Sequence, residues 1–247
     1  DDLTEDTDDK AGQEAPVTTG GKKVAFIYSS HNRESFLPYL KGVTNPDLAQ
    51  HSQLNITKVG ERLQRSLEDK GIGSVQDKTD IQANLLKKGL KFGKSYSESR
   101  SVLQQAMAGN GDLAYFIDIH RDARRKKLTT MTIDGKSYAK LAFVVGGENA
   151  DYQKNYALAE RLHKGLEKKY PGLSRGVFKQ GGAGYNGVYN QDLSERVILI
   201  EAGGVDNTFE ELYRSMDAFA DVFSDYYWKD SNSMKVDSSK PAKSDSQ

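Results

Sequence analysis

The sequence predicts a single α/β domain, a largely parallel twisted sheet with helices on both faces. Three observations carry this. The short apolar runs Val24–Tyr28, Leu113–Ile119 and Arg196–Ile200 read as strands buried on both faces. Between and after them lie stretches with apolar residues at three- and four-residue steps, the spacing of amphipathic helices. The 247 residues, 36% hydrophobic, suffice for one domain of roughly 200 residues with a sizeable core, plus tails.

Residues 1–20 hold seven acidic residues and one basic, Lys10. So acidic and apolar-poor a start predicts disorder over residues 1–21. The strand Val24–Tyr28 follows. Residues 45–71 read as a loop and then a helix, with Ile56, Val59, Leu63 and Leu67 on one face, Asn55 as cap and Gly71 as stop. Val75 opens a short strand that ends in Asp77-Lys78-Thr79-Asp80. Residues 81–95, with Gly89, Gly93 and several Lys, read as a surface insertion. Ser97–Ala108 is a helix that leads into the second run.

Beyond it, Leu128–Ile133 alternates, Asp134-Gly135 signals a hairpin turn, and Lys140–Val145 reads as the returning strand. Asp151–Tyr170 is a long helix whose charged side carries His163, read as exposed. Residues 179–194 are rich in Gly and Asn and form a polar–aromatic loop, with Tyr185 and Asn190 as candidate substrate contacts. Phe209–Trp228 is the closing helix. The domain thus spans residues 22–228, and the Ser-, Lys- and Asp-rich residues 229–247 read as a disordered tail.

The three runs share one further property. The first is followed by His31 and Glu34, the second by His120, the third by Glu201. In open α/β sheets the carboxyl ends of the strands are where ligands bind. Two imidazoles and one carboxylate make a catalytic zinc site with a position left open for water. His31, Glu34 and His120 are therefore the expected Zn²⁺ ligands. Glu201, on a neighbouring strand, is placed to act as general base and then acid. A buried His or Glu at one strand end would read as a structural hydrogen-bonding residue; the repetition over three runs is what points to chemistry. The chain has only four His.

Composition narrows the classes. There is no cysteine, which excludes disulfides and thiolate metal ligands. Residues 21–247 carry a net charge of +6, suited to an anionic polymer or surface but too weak to argue for nucleic acid. The basic run Arg121–Lys127 reads equally as a solvated loop or as an anionic-substrate rim. The chain begins at Asp1 and holds no apolar run of 18 residues, which predicts a soluble piece, either processed or separated from a membrane segment.

Ser30-His31-Asn32-Arg33-Glu34-Ser35, Asp118-Ile119-His120-Arg121-Asp122 and Ile200-Glu201-Ala202-Gly203-Gly204 resemble the three motifs of the stage II sporulation protein P family, zinc-dependent cell-wall hydrolases of endospore-forming bacteria. Asn55–Glu61 and Asp77–Asp80 resemble its pattern too, and the likeness covers about residues 22–228. More distantly the arrangement is similar to N-acetylmuramoyl-L-alanine amidases and zinc carboxypeptidases. The resemblance implies an amidase-like catalytic domain acting on peptidoglycan. It cuts the bond between muramic acid and the stem peptide, and also cross-links between stem peptides. It implies work with stage II sporulation proteins D and M in forespore engulfment, at the septum and engulfing membrane, with an N-terminal anchor absent from this chain. In the related amidases the Glu ligand lies farther past the first His, about where His51 stands here. That leaves His51 as the alternative to Glu34. Asp118 and Asp122 are expected to orient His120, and Arg121 to bind a peptide carboxylate or the developing oxyanion. The competing readings are a zinc carboxypeptidase on free peptides and a non-catalytic wall-binding module.

Overall fold

The structure, a computed structural model, describes residues 17–238, with side chains described to residue 230. Among the described residues, eight strands and six α-helices follow one another: β1 (Ala25–Tyr28), α1 (Thr57–Asp69), β2 (Ser74–Gln76), α2 (Ile81–Lys87), α3 (Ser95–Gly109), β3 (Tyr115–Asp122), α4 (Lys126–Thr129), β4 (Thr130–Ile133), β5 (Lys136–Ala139), β6 (Leu141–Gly146), α5 (Tyr152–Lys169), β7 (Ser174–Gln180), β8 (Val197–Gly204) and α6 (Phe209–Ser238). Six strands form one sheet in the order β2-β1-β3-β8-β6-β7. Four of its five pairings are parallel; only β6 against β8 is antiparallel. The predicted α/β architecture holds.

Side-chain alternation along each strand sorts the two faces. Ala25, Ile27, Ile117, Ile119, Ile198 and Ile200 turn to one side, into a core with Leu63 of α1, Leu162 of α5 and Phe219 of α6. Phe26, Tyr28, Phe116 and Val197 turn to the other side and meet Leu103 of α3. Asp118, His120 and Glu201 fall on this second face by the same alternation. The central strands are thus apolar toward α1, α5 and α6 along their whole length. Toward α3 they are apolar only at the amino-terminal end.

Phe219 is fully buried, with ring centroids 6.3 Å from Phe143 and 5.9 Å from Phe223. Truncation there leaves a cavity that the surrounding helix and strand cannot close. Phe219→Ala is expected to cost about 3–5 kcal/mol, measurable by denaturant unfolding.

Several local expectations are corrected. The returning hairpin strand is Lys136–Ala139, which pairs with β4 in a separate two-stranded sheet. Leu141–Gly146 leaves that hairpin at Lys140 and joins the main sheet antiparallel to β8. Its uniform burial is that of an interior strand. Ser174–Gln180 forms an edge strand that periodicity does not show, because its outer side is solvated and Gly176 interrupts it at φ 110°. Residues 81–95 are no loose insertion. Asp80 caps α2 by accepting from Ala83 N at 3.0 Å, and Ile81 and Leu85 of that helix are buried.

His163 is half-buried, its Nδ1 2.8 Å from Ser174 Oγ, and is not among the residues of the metal-ligand cluster. Helix α6 runs ten residues past Trp228, since neither Gly nor Pro occurs between Phe209 and Ser238. Residues 1–16 and 239–247, to which the disorder expectations also apply, lie outside the described residues. Within 17–21, Thr19 N donates to Gly71 O at 2.9 Å, and its Oγ1 accepts from Gly73 N at 2.9 Å, so this part of the segment is tied to the domain. Among the described residues no helix is long and apolar enough to cross a membrane.

Candidate metal centre and catalytic cleft

β1 ends at Tyr28, and the next six residues make the turn that carries His31 and Glu34. The turn closes on itself through Glu34 N donating to His31 O at 3.0 Å. It is clamped from three sides. Ser30 N donates to Asp118 Oδ1 at 2.9 Å and Ser30 Oγ to Asp118 Oδ2. Asn32 Nδ2 and the Arg33 guanidinium donate to Asp80 at 2.8–3.1 Å, so the acid that caps α2 also holds the turn. Ser35 N donates to Ala49 O and His51 N to Arg33 O, both at 2.9 Å, pairing residues 33–35 with 49–51. A short turn with this many fixed points presents its two side chains in one orientation.

The remaining groups come from adjacent strands. In the parallel pairing of β3 and β8, His120 stands directly beside Glu201. His31 Nδ1 lies 3.2 Å from Glu34 Oε1, and His120 Nδ1 lies 3.6 Å from Glu34 Oε2. The three residues each offer one ligand atom within 4.8 Å of the others, the one such group among the described residues. Zinc bonds of about 2.0–2.2 Å place tetrahedral ligands roughly 3.4 Å apart, close to the distance of each imidazole from its nearer Glu34 oxygen. The donor set of two nitrogens and one carboxylate oxygen fits the same ion.

The electrostatics point the same way. Burial by itself would raise the Glu34 carboxyl, but His120 and His31 outweigh it and hold the group well below the usual carboxylate range. Burial by itself would lower the His120 imidazole, yet Asp118 and Glu34, one on each ring nitrogen, raise it well above its ordinary value. Glu201 is pushed up to about 7, chiefly by burial, with His120 opposing and Glu34 adding. Its Oε2 is buried without a hydrogen-bond partner. Three carboxyl groups around two imidazoles make a cluster that a cation would complete.

Asp118 is fully buried beside His120, its Oδ1 3.0 Å from Nε2. The contact lies off the N–H direction, and Nε2 has no aligned hydrogen-bond partner, so Asp118 acts on the ring mainly through charge. The strand is still regular from 118 to 120, which puts both residues on one face. Behind Asp118 a buried chain continues: Ser99 Oγ donates to Ser30 Oγ, and Asn190 Nδ2 to Ser99 Oγ, each at 3.1 Å.

Three sequence expectations change here, and the alternative ligand His51 stands apart. Arg121 is 8% exposed, with its guanidinium donating to the carbonyls of Ser35, Pro46 and Ala49 at 2.6–3.0 Å. It braces the loop beneath the metal turn and cannot also face substrate; its backbone N donates to Glu34 Oε2 at 2.9 Å. Asp122 lies past a register shift in the β3–β8 pairing and accepts from Arg175 Nη2 at 2.8 Å, so it does not orient His120. Asn190 is buried at φ 57° on Ser99, away from the cleft. His51 Nδ1 accepts from Gln53 N and Leu54 N at 3.0 and 2.9 Å and stands outside the ligand cluster. A Cβ on Gly204 would lie 2.2 Å from Arg124 O, and one on Gly203 2.9 Å from the Ala139 Cβ, so their smallness admits neighbouring chain.

Above the cluster opens a cavity of about 590 Å³. Tyr185, 54% exposed, lies on its rim as part of the 179–194 loop. The other walls include residues that sequence reasoning missed. Phe92 lies with its ring centroid 4.5 Å from that of His31, and Tyr96 is 5.2 Å from His31 and 6.0 Å, stacked, from His120. Tyr189 packs edge-on against Tyr96 and donates its hydroxyl to Gln180 Oε1 at 2.8 Å. Two aromatics, Phe92 and Tyr96, four residues apart in a Lys- and Gly-rich stretch were the available signal.

The model of the family described as Stage II sporulation protein P (SpoIIP) matches residues 1–224. Over 221 residues the chain is 58% identical to "Stage II sporulation protein P" of Bacillus subtilis (strain 168), covering 89% of this chain and 55% of that protein. The chain therefore spans about half the length of the curated relative it matches. Among solved structures, an N-acetylmuramoyl-L-alanine amidase from Clostridium difficile 630 is 15% identical with a TM-score of 0.49, over 85% of this chain and 98% of the other. The CwlD amidase from Clostridioides difficile, solved in complex with the GerS lipoprotein, is 15% identical with a TM-score of 0.48, over 84% and 99%. The three motifs that meet in the cleft, the family match and the 58% identity together place the chain: it belongs to the stage II sporulation protein P family.

Proposed function

We propose that this chain is a zinc-dependent peptidoglycan hydrolase that cleaves the N-acetylmuramoyl-L-alanine amide bond and, at the same site, cross-links between stem peptides. The observation that carries the reading is the cluster His31–Glu34–His120, open to a cavity and flanked by Glu201 with a buried, unpartnered carboxylate oxygen. Zn²⁺, when bound, polarises the scissile carbonyl and acidifies its water.

The protein's own groups do the rest. His31, Glu34 and His120 hold the ion, and Asp118 fixes the His120 ring by its charge on Nε2. Glu201 takes a proton from the attacking water and returns it to the departing nitrogen. Burial brings its pKa close to neutral, where one group can both accept and donate. Phe92 and Tyr96 wall the imidazoles on the open side.

The role belongs to sporulation, in engulfment of the forespore, with peptidoglycan as substrate and stage II sporulation proteins D and M as partners. The proposed place of action is the sporulation septum and engulfing membrane. Purified sacculi and a free tetrapeptide, digested side by side with mass analysis of products, test the reading. Stem peptides freed from muramic acid, in a chelator-sensitive reaction, are expected. Release of only the terminal residue of the free peptide would indicate a carboxypeptidase, and binding without products a wall-binding module.

Asp118→Asn isolates the positioning role. The amide keeps its size and can still accept from Ser30, but loses the charge on Nε2. Zinc affinity is expected to fall about 10–100-fold, measured by competition with a chromogenic chelator.

A further inference from the structure

A second, smaller cleft of about 180 Å³ lies beside Glu201, on the side away from the imidazoles. Glu201 and Gln180 line both cavities, so the two are neighbours across one catalytic side chain. The second is walled by Arg175, Arg124, Asp122 and the apolar Val144 and Phe178.

Arg175 is held there in an unusual way. Its side chain is 11% exposed. Its Nη2 donates to Asp122 Oδ2 at 2.8 Å, while Nε is buried with no partner. A guanidinium has five donors in a planar fork, and leaving buried donors unmet is costly. Asp122 is shared further, with Arg124 N at 2.9 Å and Arg124 Nε at 3.4 Å. Arg175 and Arg124 meet two carboxylates here, those of Asp122 and Glu201; Asp122 pairs with both guanidinium groups and Glu201 Oε2 with neither.

Its walls are irregular at two points. Between Leu141 and Phe143 of β6 the facing strand advances from Ser174 to Val177, so β7 holds an extra residue at Arg175–Gly176, with Gly176 at φ 110°. Between His120 and Asp122 of β3 the facing strand advances from Glu201 to Gly204, with Gly203 at φ 65°. Bulges of this kind re-aim side chains and are frequent beside active sites.

We infer that this cleft is a subsite for a carboxylate of the stem peptide, taken by the guanidinium of Arg175 with Arg124 at its mouth. The inference rests on the hydrolase reading and names the part of the substrate that lies beyond Glu201. Its small volume suits a carboxylate with a few attached carbons.

The test uses two muropeptides that differ only in whether the stem carboxylates are free or converted to primary carboxamides. Turnover is measured with the zinc-loaded native chain, Arg175→Ala and Arg175→Gln, and binding with Glu201→Gln and with Glu201→Gln combined with each Arg175 variant. The native chain is expected to favour the free carboxylate tenfold or more, mainly through KM. In Arg175→Ala that preference should collapse toward one, while the carboxamide substrate changes less than threefold. Arg175→Gln keeps a donor for Asp122 and serves if the Ala variant does not fold. Equal loss on both substrates would mark Arg175 as merely structural, and equal handling of both by the native chain would overturn the subsite. If neither substrate is cut but Glu201→Gln binds the carboxylate form in preference, the hydrolase reading fails and the subsite stands.

Discussion

On the proposed hydrolase reading, Glu201→Gln is expected to keep zinc and peptidoglycan binding and to lose turnover by roughly 10²–10⁴-fold, the usual share of a general base. The substitution preserves volume in a position aligned with His120 between β3 and β6. It also relieves the buried Oε2 of a charge without a partner, so stability should hold or rise. What the amide cannot do is accept the proton. Since one water serves both reactions, the amide cut and the cross-link cut should fall together in sacculus digests. If one activity stayed near normal, a second catalytic constellation would have to exist, and the single-site mechanism would be wrong.

Glu34→Ala should have an effect of the same order or larger, for a different reason. Glu34 is the hub of the cluster: Oε1 faces His31, Oε2 faces His120 and also accepts from the Arg121 backbone. Its loss leaves two imidazoles with no shared anion and an orphaned amide. Zinc occupancy is expected to drop below detection by metal analysis after dialysis, and activity with it. His51→Ala removes only an acceptor for Gln53 N and Leu54 N and should keep most of its zinc. The reverse order would show that the ligand set follows the more distant amidases. Added zinc should raise the melting temperature of the native chain and not that of Glu34→Ala, because only a site that binds the folded state stabilises it.

Much of this was legible in the linear sequence. Val24–Tyr28, Val197–Ile200 and, apart from Asp118, Leu113–Ile119 are apolar because central strands are covered on both faces, and that placed His31, Glu34, His120 and Glu201 at one edge of one sheet. Alternation put Asp118 on the face of His120 as long as the strand stayed regular. The helix caps and stops were local too: Asn55 Oδ1 accepts from Thr57 N at 3.0 Å, and Gly71 takes φ 77°.

Other assignments were decided only when distant segments met. Arg121 reads as a substrate cation until the 35–49 loop folds over it and takes its donors. Asp122 reads as the partner of His120 until a bulge turns it to Arg175, 53 residues away. Spacing favours Glu34, on one turn with His31, over His51; the structure adds that the backbone of residues 53–54 occupies His51 while the Glu34 oxygens face the two imidazoles. Edge strand β7 and the Phe92–Tyr96 wall carry no periodic signal, because Gly176 interrupts the first at φ 110° and the second is a tight turn running into α3. Residue type and pattern thus determined which strands are central and which groups can bind metal, since burial on both faces leaves a mark at every position. Which groups actually reach the site depended on competition for hydrogen-bond partners across the fold, and only the tertiary structure settles that.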